Sequence, residues 1–289
     1  MKGTSIGRKN DKDTFLCKIA GLVYEIGYRY PYTKVKFRDY IIESAEDNQE
    51  IISITYNERD LDDTAKILRE VALGASYESD GKVAEPYAEE IMQENASGNS
   101  REPSEEYKEY ACIFDKIATP LPKRDMLLMH GALIEYEGEG FIFTAPSGTG
   151  KTTHILLWKK YLGEAVSIIN GDKPELLIKE DEVMAYGTPW CGKEGWQINK
   201  SVPLKGICLL RRGNKNRIKK ISPGEYIEFF IKQFYFDFQS EYTLKVFDLF
   251  SKIAERVNFY LLECDISEEA AQTSFEQMTG KEWRKRNEG

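Results

Sequence analysis

The chain has 289 residues, 41% of them hydrophobic, and a formal charge of −8, enough to bury a core in one large domain or two modest ones. That charge excludes a nucleic-acid sleeve, which needs a broad positive field, and no apolar run reaches the roughly 18 residues of a membrane span. The polar opening MKGTSIGRKNDKD lacks a secretory signal, so the expectation is a cytoplasmic protein with neither nucleic-acid nor membrane partners. Cys17, Cys112, Cys191, Cys208 and Cys264 are scattered and form no C-x-x-C pair, which predicts reduced, partly buried thiols.

From Phe15 to Tyr56, β-rich runs such as GLVYEIGYRY and IISITY alternate with polar turns, and DDTAKILREVALGA has helical periodicity. This predicts a smaller α+β region over 1–104, closed by a polar linker near 95–104, and a second region over 105–289. EEYKEYACIFDKIA opens the second region as a helix. HGALIEY and FIFT then form a hairpin around the turn at Glu137–Gly140. After it, TTHILLWKKYL places Ile155, Trp158 and Leu162 on one helical face, and AVSIIN is a continuous apolar strand ending at Gly171 and Asp172. ELLIK and VMAY read as another hairpin, and PLKGICLLR as a buried strand.

Arg211, Arg212, Lys215, Arg217, Lys219 and Lys220 surround Gly213 and Asn214 between two apolar segments. This reads as a solvated hairpin turn, with phosphate contact as the other reading. Ser222, Pro223 and Glu225 spell a capping box before IEFFIKQFYFDF, whose stripe of Phe229, Phe230, Phe234 and Phe236 predicts core or a subunit interface in a homo-oligomer. A final helix starts near Ser267, and the tail KEWRKRNEG reads as frayed.

The chemistry centres on Ala145–Thr152. A triphosphate needs several backbone N–H donors turned onto one anion, and Gly148 and Gly150 give the chain that freedom. The following helix aims its N-terminus at the phosphates, Lys151 reaches the β- and γ-oxygens, and Thr152 offers a hydroxyl to Mg²⁺. Ser147, Gly148, Thr149, Gly150, Lys151, Thr152 and Thr153 are therefore the expected nucleotide cradle. The pattern G-x-x-x-x-G-K-[ST] is met except at its first position, where Ala145 stands.

Asp172, at the carboxyl end of the next strand, is placed to bind Mg²⁺ or to act as a base, the competing reading being a turn aspartate before Pro174. His130 opens the strand paired with the one feeding the loop and is expected near the γ-phosphate. His154, in the first turn of the helix, reads as packing.

The stretch MHGALIEYEGEGFIFTAPSGTGKTT resembles the core of the HPr kinase/phosphorylase family, in which a histidine-glycine pair opens a hairpin leading to S-G-x-G-K-[ST]. The resemblance covers roughly Leu127–Glu225 and includes GTPWCGK at 187–193, as in a broader group of bacterial HPr-kinase-like proteins. It implies an α/β fold with a mixed sheet around a phosphate-loop core. It also implies an ATP- and Mg²⁺-dependent kinase acting on a hydroxyl of a peptide, protein or small molecule. His130 then corresponds to the active-site histidine, Lys151 and Thr152 to the nucleotide and Mg²⁺ residues, and Asp172 to the catalytic aspartate.

Where relatives carry two adjacent acidic residues, this chain has Gly171 before Asp172, so Gly171→Asp is expected to strengthen Mg²⁺ binding. Two other functions compete. One is a nucleotide-binding regulatory or scaffold protein without turnover. The other is an enzyme like ATP-dependent phosphoenolpyruvate carboxykinase, whose nucleotide loop SGTGKTT also resembles.

Overall fold

The computed structural model describes residues 13–72, 103–146, 148–236 and 241–283. The expected linker near 95–104 and Ser147 fall largely or wholly outside the described residues.

The N-terminal region is built on a four-stranded sheet in the order β3-β1-β2-β4, from β1 (Asp13–Ile19), β2 (Leu22–Tyr28), β3 (Ile41–Ile42) and β4 (Ile51–Ile54). Ala20 and Gly21, both at positive φ, make the two-residue turn that matches the twist of the β1–β2 hairpin. Helices Glu58–Ala72 and Glu105–Ala118 accompany this sheet. Ser104 caps the second of them, its hydroxyl accepting from the Tyr107 amide. Phe15, Tyr24 and Ile26 share one core with Tyr110, Phe114 and Ile117, so the helix that opens the second region by sequence also packs on the first.

One buried carboxylate ties the N-terminal elements together. The short helix Pro31–Lys36 has no side-chain cap of its own. Glu109, fully buried, instead accepts from the Arg29 amide at 2.7 Å, the Thr33 hydroxyl at 2.5 Å and the Tyr56 hydroxyl. A carboxylate with this many donors is satisfied without a counter-cation.

The larger sheet runs β5-β9-β10-β11-β7-β6-β8. Its strands are β5 (Met126–Leu128), β6 (Ala132–Tyr136), β7 (Glu139–Thr144), β8 (Val166–Asn170), β9 (Glu175–Ile178), β10 (Val183–Tyr186) and β11 (Ser201–Arg212). β12 (Arg217–Lys220) and β13 (Asn258–Cys264) extend it, β13 pairing parallel with β11 and antiparallel with β12. The β6–β7 and β9–β10 pairs are antiparallel, as the two expected hairpins require, while β7 and β11 run parallel.

Side chains alternate across this sheet with a period of two. Phe141, Phe143, Cys208 and Leu262 face a layer formed by Ile155, Trp158 and Leu162 of helix Lys151–Leu162 and by Phe275 of helix Glu268–Thr279. Ile142, Ile207, Leu209 and Phe259 face the opposite layer, with Phe230, Phe234 and Phe250. The fold is therefore α/β, a mixed sheet between two helical layers. The phenylalanine stripe is interior: Phe230, Phe234 and Phe236 are buried.

Three local expectations change. The basic segment is not a hairpin turn, because β13 lies between β11 and β12 and takes the hydrogen bonds that a hairpin would have made directly. The capping box does not form. Ser222 makes no side-chain cap, Pro223–Tyr226 is a 3-10 turn, and the α-helix that follows is only Ile227–Ile231. The third change is in the tail, where Trp283 packs on Phe275 and Tyr161 and Lys281 pairs with Glu137; the tail beyond Trp283 is outside the described residues.

Candidate active site

β7 ends at Thr144 and the chain passes through the glycine loop into helix Lys151–Leu162. Gly148 (φ 69°) and Gly150 (φ 121°) adopt backbone conformations that side chains resist, although a Cβ at either would meet nothing within 4 Å. Glycine is required there by conformation, not by space. Ala145 is buried in the sheet core and is not among the residues at positive φ, so the missing first glycine of the motif costs the loop nothing.

Gly150 caps the helix without a side-chain bond, and no acidic residue occupies the first turn. The N-terminal amides and the positive end of the helix dipole are thus left open to an anion. Arg212, at the end of β11, donates to the Thr149 carbonyl at 3.2 Å and to the Gly148 carbonyl. Drawing those carbonyls outward turns the amide that follows each of them the opposite way across a planar trans peptide.

Beside the loop lies a cluster of ionisable side chains. His130 is 6% exposed and is held on three sides. Its amide donates to the Gln233 carbonyl at 2.6 Å, its carbonyl accepts from the Thr144 hydroxyl at 2.9 Å, and its Nδ1 meets Gln233 Oε1 at 3.2 Å. An amide oxygen only accepts, so this network assigns the proton to Nδ1. Nε2 is then turned toward Lys151 Nζ at 3.0 Å and Asp172 Oδ1 at 3.3 Å. Neutral His130 accepts from Lys151, and protonated His130 donates to Asp172. Lys151 Nζ also reaches the Ala145 carbonyl at 3.2 Å, across the loop it follows.

Asp172 is anchored through its carbonyl, which accepts from the Gly131 amide at 2.7 Å, and its carboxylate also pairs with Lys173. Burial by itself pushes this carboxyl up. The adjacent Lys173 ammonium and the His130 hydrogen bond outweigh it and hold Asp172 well below the usual carboxylate range. His154 stands apart from this cluster. It packs on Phe143, its Nε2 meets Ser274 Oγ at 2.9 Å, and burial holds its pKa down to about 3, as befits a core residue.

The turn that presents Asp172 is braced by residues with no obvious role in the sequence. Asn170 Oδ1 accepts from the amides of Asp172 (2.9 Å) and Lys173 (2.7 Å), while its Nδ2 donates to Thr188. Thr188 Oγ1 donates to the Lys173 carbonyl at 2.6 Å. Thr188 belongs to GTPWCGK, and the rest of that motif continues the brace. Trp190 packs on Phe37 and Phe114, and Gly192, at φ 74°, passes so close to Asp172 that a Cβ there would lie 3.3 Å from the aspartate Cβ.

Gly171 departs from expectation. It is not at positive φ, but its Cβ would stand 2.7 Å from the Cys191 carbonyl oxygen. The backbone of the bracing loop would have to shift to admit any side chain at 171, a cost that opposes the gain expected from Gly171→Asp.

Of the residues singled out by sequence, the fold brings His130, Lys151 and Asp172 together, and places Gly148, Thr149, Gly150, Thr152 and Thr153 at the loop and the first helical turn. Sequence reasoning missed Lys173, Gln233 and Asn170, and named Arg212 only within a basic turn for which phosphate contact was the other reading. Lys173 offered one signal, a cation next to the candidate aspartate; Gln233 is 103 positions from His130 and offered none.

No helix among the described residues is long and apolar enough to cross a membrane. Among solved structures, the Hpr(Ser) kinase/phosphatase from Coxiella burnetii matches distantly, with a TM-score of 0.31 and 10% identity, over 53% of this chain and 93% of that one. No curated protein matches. The family model of the SynChlorMet cassette protein ScmC matches residues 109–278, a span that contains the glycine loop, the His130–Asp172 cluster and the bracing motif. The chain therefore belongs to the ScmC family of SynChlorMet cassette proteins.

Proposed function

We propose that the chain is an ATP-dependent phosphotransferase that moves the γ-phosphoryl group to a hydroxyl of a peptide, protein or small molecule. The observation that carries this reading is the convergence of Lys151 Nζ (3.0 Å) and Asp172 Oδ1 (3.3 Å) on His130 Nε2, directly beside a glycine loop whose helix N-terminus is open.

In this reading the loop amides and Lys151 hold the phosphates and neutralise their charge. The acceptor hydroxyl oxygen bonds to the γ-phosphorus as the bond from that phosphorus to the bridging oxygen breaks, and ADP leaves. The hydroxyl proton passes to the Asp172 carboxylate. Because Lys173 and His130 keep Asp172 ionised, it is ready to accept that proton at any neutral pH but is a weak base. Phosphoryl transfer through a loose transition state tolerates this, since the attacking oxygen needs orientation more than deprotonation. His130, fixed by Gln233, contacts both Lys151 and Asp172.

The donor set suits Mg²⁺. Thr152 would supply a hydroxyl and Asp172 a carboxylate, hard oxygen ligands of the kind this ion takes together with substrate phosphates and water. Bound there, the ion would neutralise charge developing on the transferred group.

The test is to incubate the full chain with γ-labelled ATP, Mg²⁺ and a panel of hydroxyl acceptors. Label transferred by the wild type and lost in Asp172→Asn supports the reading. Tight ATP binding without transfer to any acceptor, or hydrolysis to water, would favour a nucleotide-binding regulator instead.

A further inference from the structure

We infer that a cleft on the far side of the glycine loop from His130 holds the nucleoside end of the nucleotide, an assignment that rests on the phosphotransferase reading above. The cleft measures about 340 Å³ and is lined by Thr149 and Gly150 of the loop, Leu157 of the following helix, Leu210 of β11, and Asp265 and Ile266 just after β13. This is near the lower end of the roughly 300–1,000 Å³ typical of small-molecule sites, a size suited to one nucleoside.

Its position sets the direction of the ligand. The cleft shares Thr149 and Gly150 with the phosphate loop but is lined by neither His130, Lys151 nor Asp172. A nucleotide whose phosphates lie on the loop then has its terminal phosphate toward the His130 cluster and its nucleoside toward the cleft. Arg212 stands where the two meet, lining the cleft while it grips the Gly148 and Thr149 carbonyls.

Beyond Arg211 and Arg212, the lining has the chemistry of a base and sugar. Leu157 and Leu210 offer apolar surface, and Ile266 is 77% exposed at the rim, an apolar side chain that a planar ring would cover. Asp265 is fixed by the Ser267 amide and hydroxyl, at 2.8 and 2.5 Å, and that hydrogen bonding holds its carboxyl below the usual range. An ionised carboxylate repels phosphate and accepts from neutral donors, which a nucleoside supplies as ribose hydroxyls or a ring amine.

The experiment is calorimetric titration of the full chain with ATP and with inorganic tripolyphosphate, in the wild type, Ile266→Ser and Lys151→Ala. ATP is expected to bind at least tenfold more tightly than tripolyphosphate. Ile266→Ser, at a position too exposed to threaten folding, is expected to weaken ATP about fivefold and leave tripolyphosphate unchanged. Equal affinity for the two ligands, both lost in Lys151→Ala, overturns the cleft assignment while the phosphate-loop reading stands. ATP binding that is tighter but indifferent to Ile266→Ser places the nucleoside elsewhere and also overturns it. If neither ligand binds the wild type, the phosphotransferase reading fails and takes the cleft assignment with it.

Discussion

Glu175 begins β9, three residues beyond Asp172, and is fully buried with neither carboxylate oxygen hydrogen-bonded to any described residue. Burial pushes its pKa up from an ordinary 4.5 to about 8, and the nearby ionisable groups, Tyr24, Tyr40 and Tyr186, supply no positive charge to oppose this. A carboxyl whose folded pKa is raised binds more protons in the folded chain than in the unfolded one. Its contribution is therefore fully present below pH 4.5, declines as pH rises, and is lost once pH passes about 8.

Over those three and a half pH units, at about 1.4 kcal/mol each, the loss approaches ~5 kcal/mol, an upper figure because any water reaching the carboxylate lowers it. Against a total stability of about 5–15 kcal/mol, that is enough to dominate the alkaline limb. Glu175→Gln keeps the shape and removes the ionisation. Urea unfolding of both proteins between pH 5 and 8.5 should give a difference in stability that grows with pH by about 1 kcal/mol per unit in favour of the variant. Parallel curves would refute the reasoning, because they would mean that Glu175 has the same protonation in both states.

Three further outcomes are expected. Lys151→Ala should weaken ATP binding at least tenfold by calorimetry with its melting temperature within a few degrees of wild type, since Lys151 is only partly buried and stands at the first turn of its helix, outside the packed core. His130→Asn should lower kcat about 100-fold with ATP affinity little changed, and a variant with full kcat and a lower Tm would make the histidine a packing residue. Gly171→Ala should destabilise the fold by about 1–3 kcal/mol in denaturant titration, because its Cβ would meet the Cys191 carbonyl oxygen at 2.7 Å; an unchanged midpoint would show that the bracing loop yields.

The sequence alone determined the elements whose cause is local. The glycines of the phosphate loop are set by backbone conformation at Gly148 and Gly150, the helix after the loop by the spacing of Ile155, Trp158 and Leu162, and the hairpins by alternation around short turns. Ser267 announced its helix because a cap acts on amides two or three residues away. For the same reason, His130, Lys151 and Asp172 were each legible from their places at strand and helix ends.

Tertiary structure alone decided how those residues are held. Gln233 reaches His130 across 103 positions, Arg212 reaches the loop across more than 60, and Thr188 braces Asn170 from a separate turn. None of these contacts leaves a periodic or spacing signal, because each depends on which strands become neighbours. The same dependence explains the errors. β13 displaced the expected hairpin partner of β12, and the capping signature at Ser222 yielded to the turn that carries Gln233 toward His130. Gly171 looked replaceable until the fold brought the Cys191 carbonyl against it, a contact fixed by the packing of Trp190 in the N-terminal core.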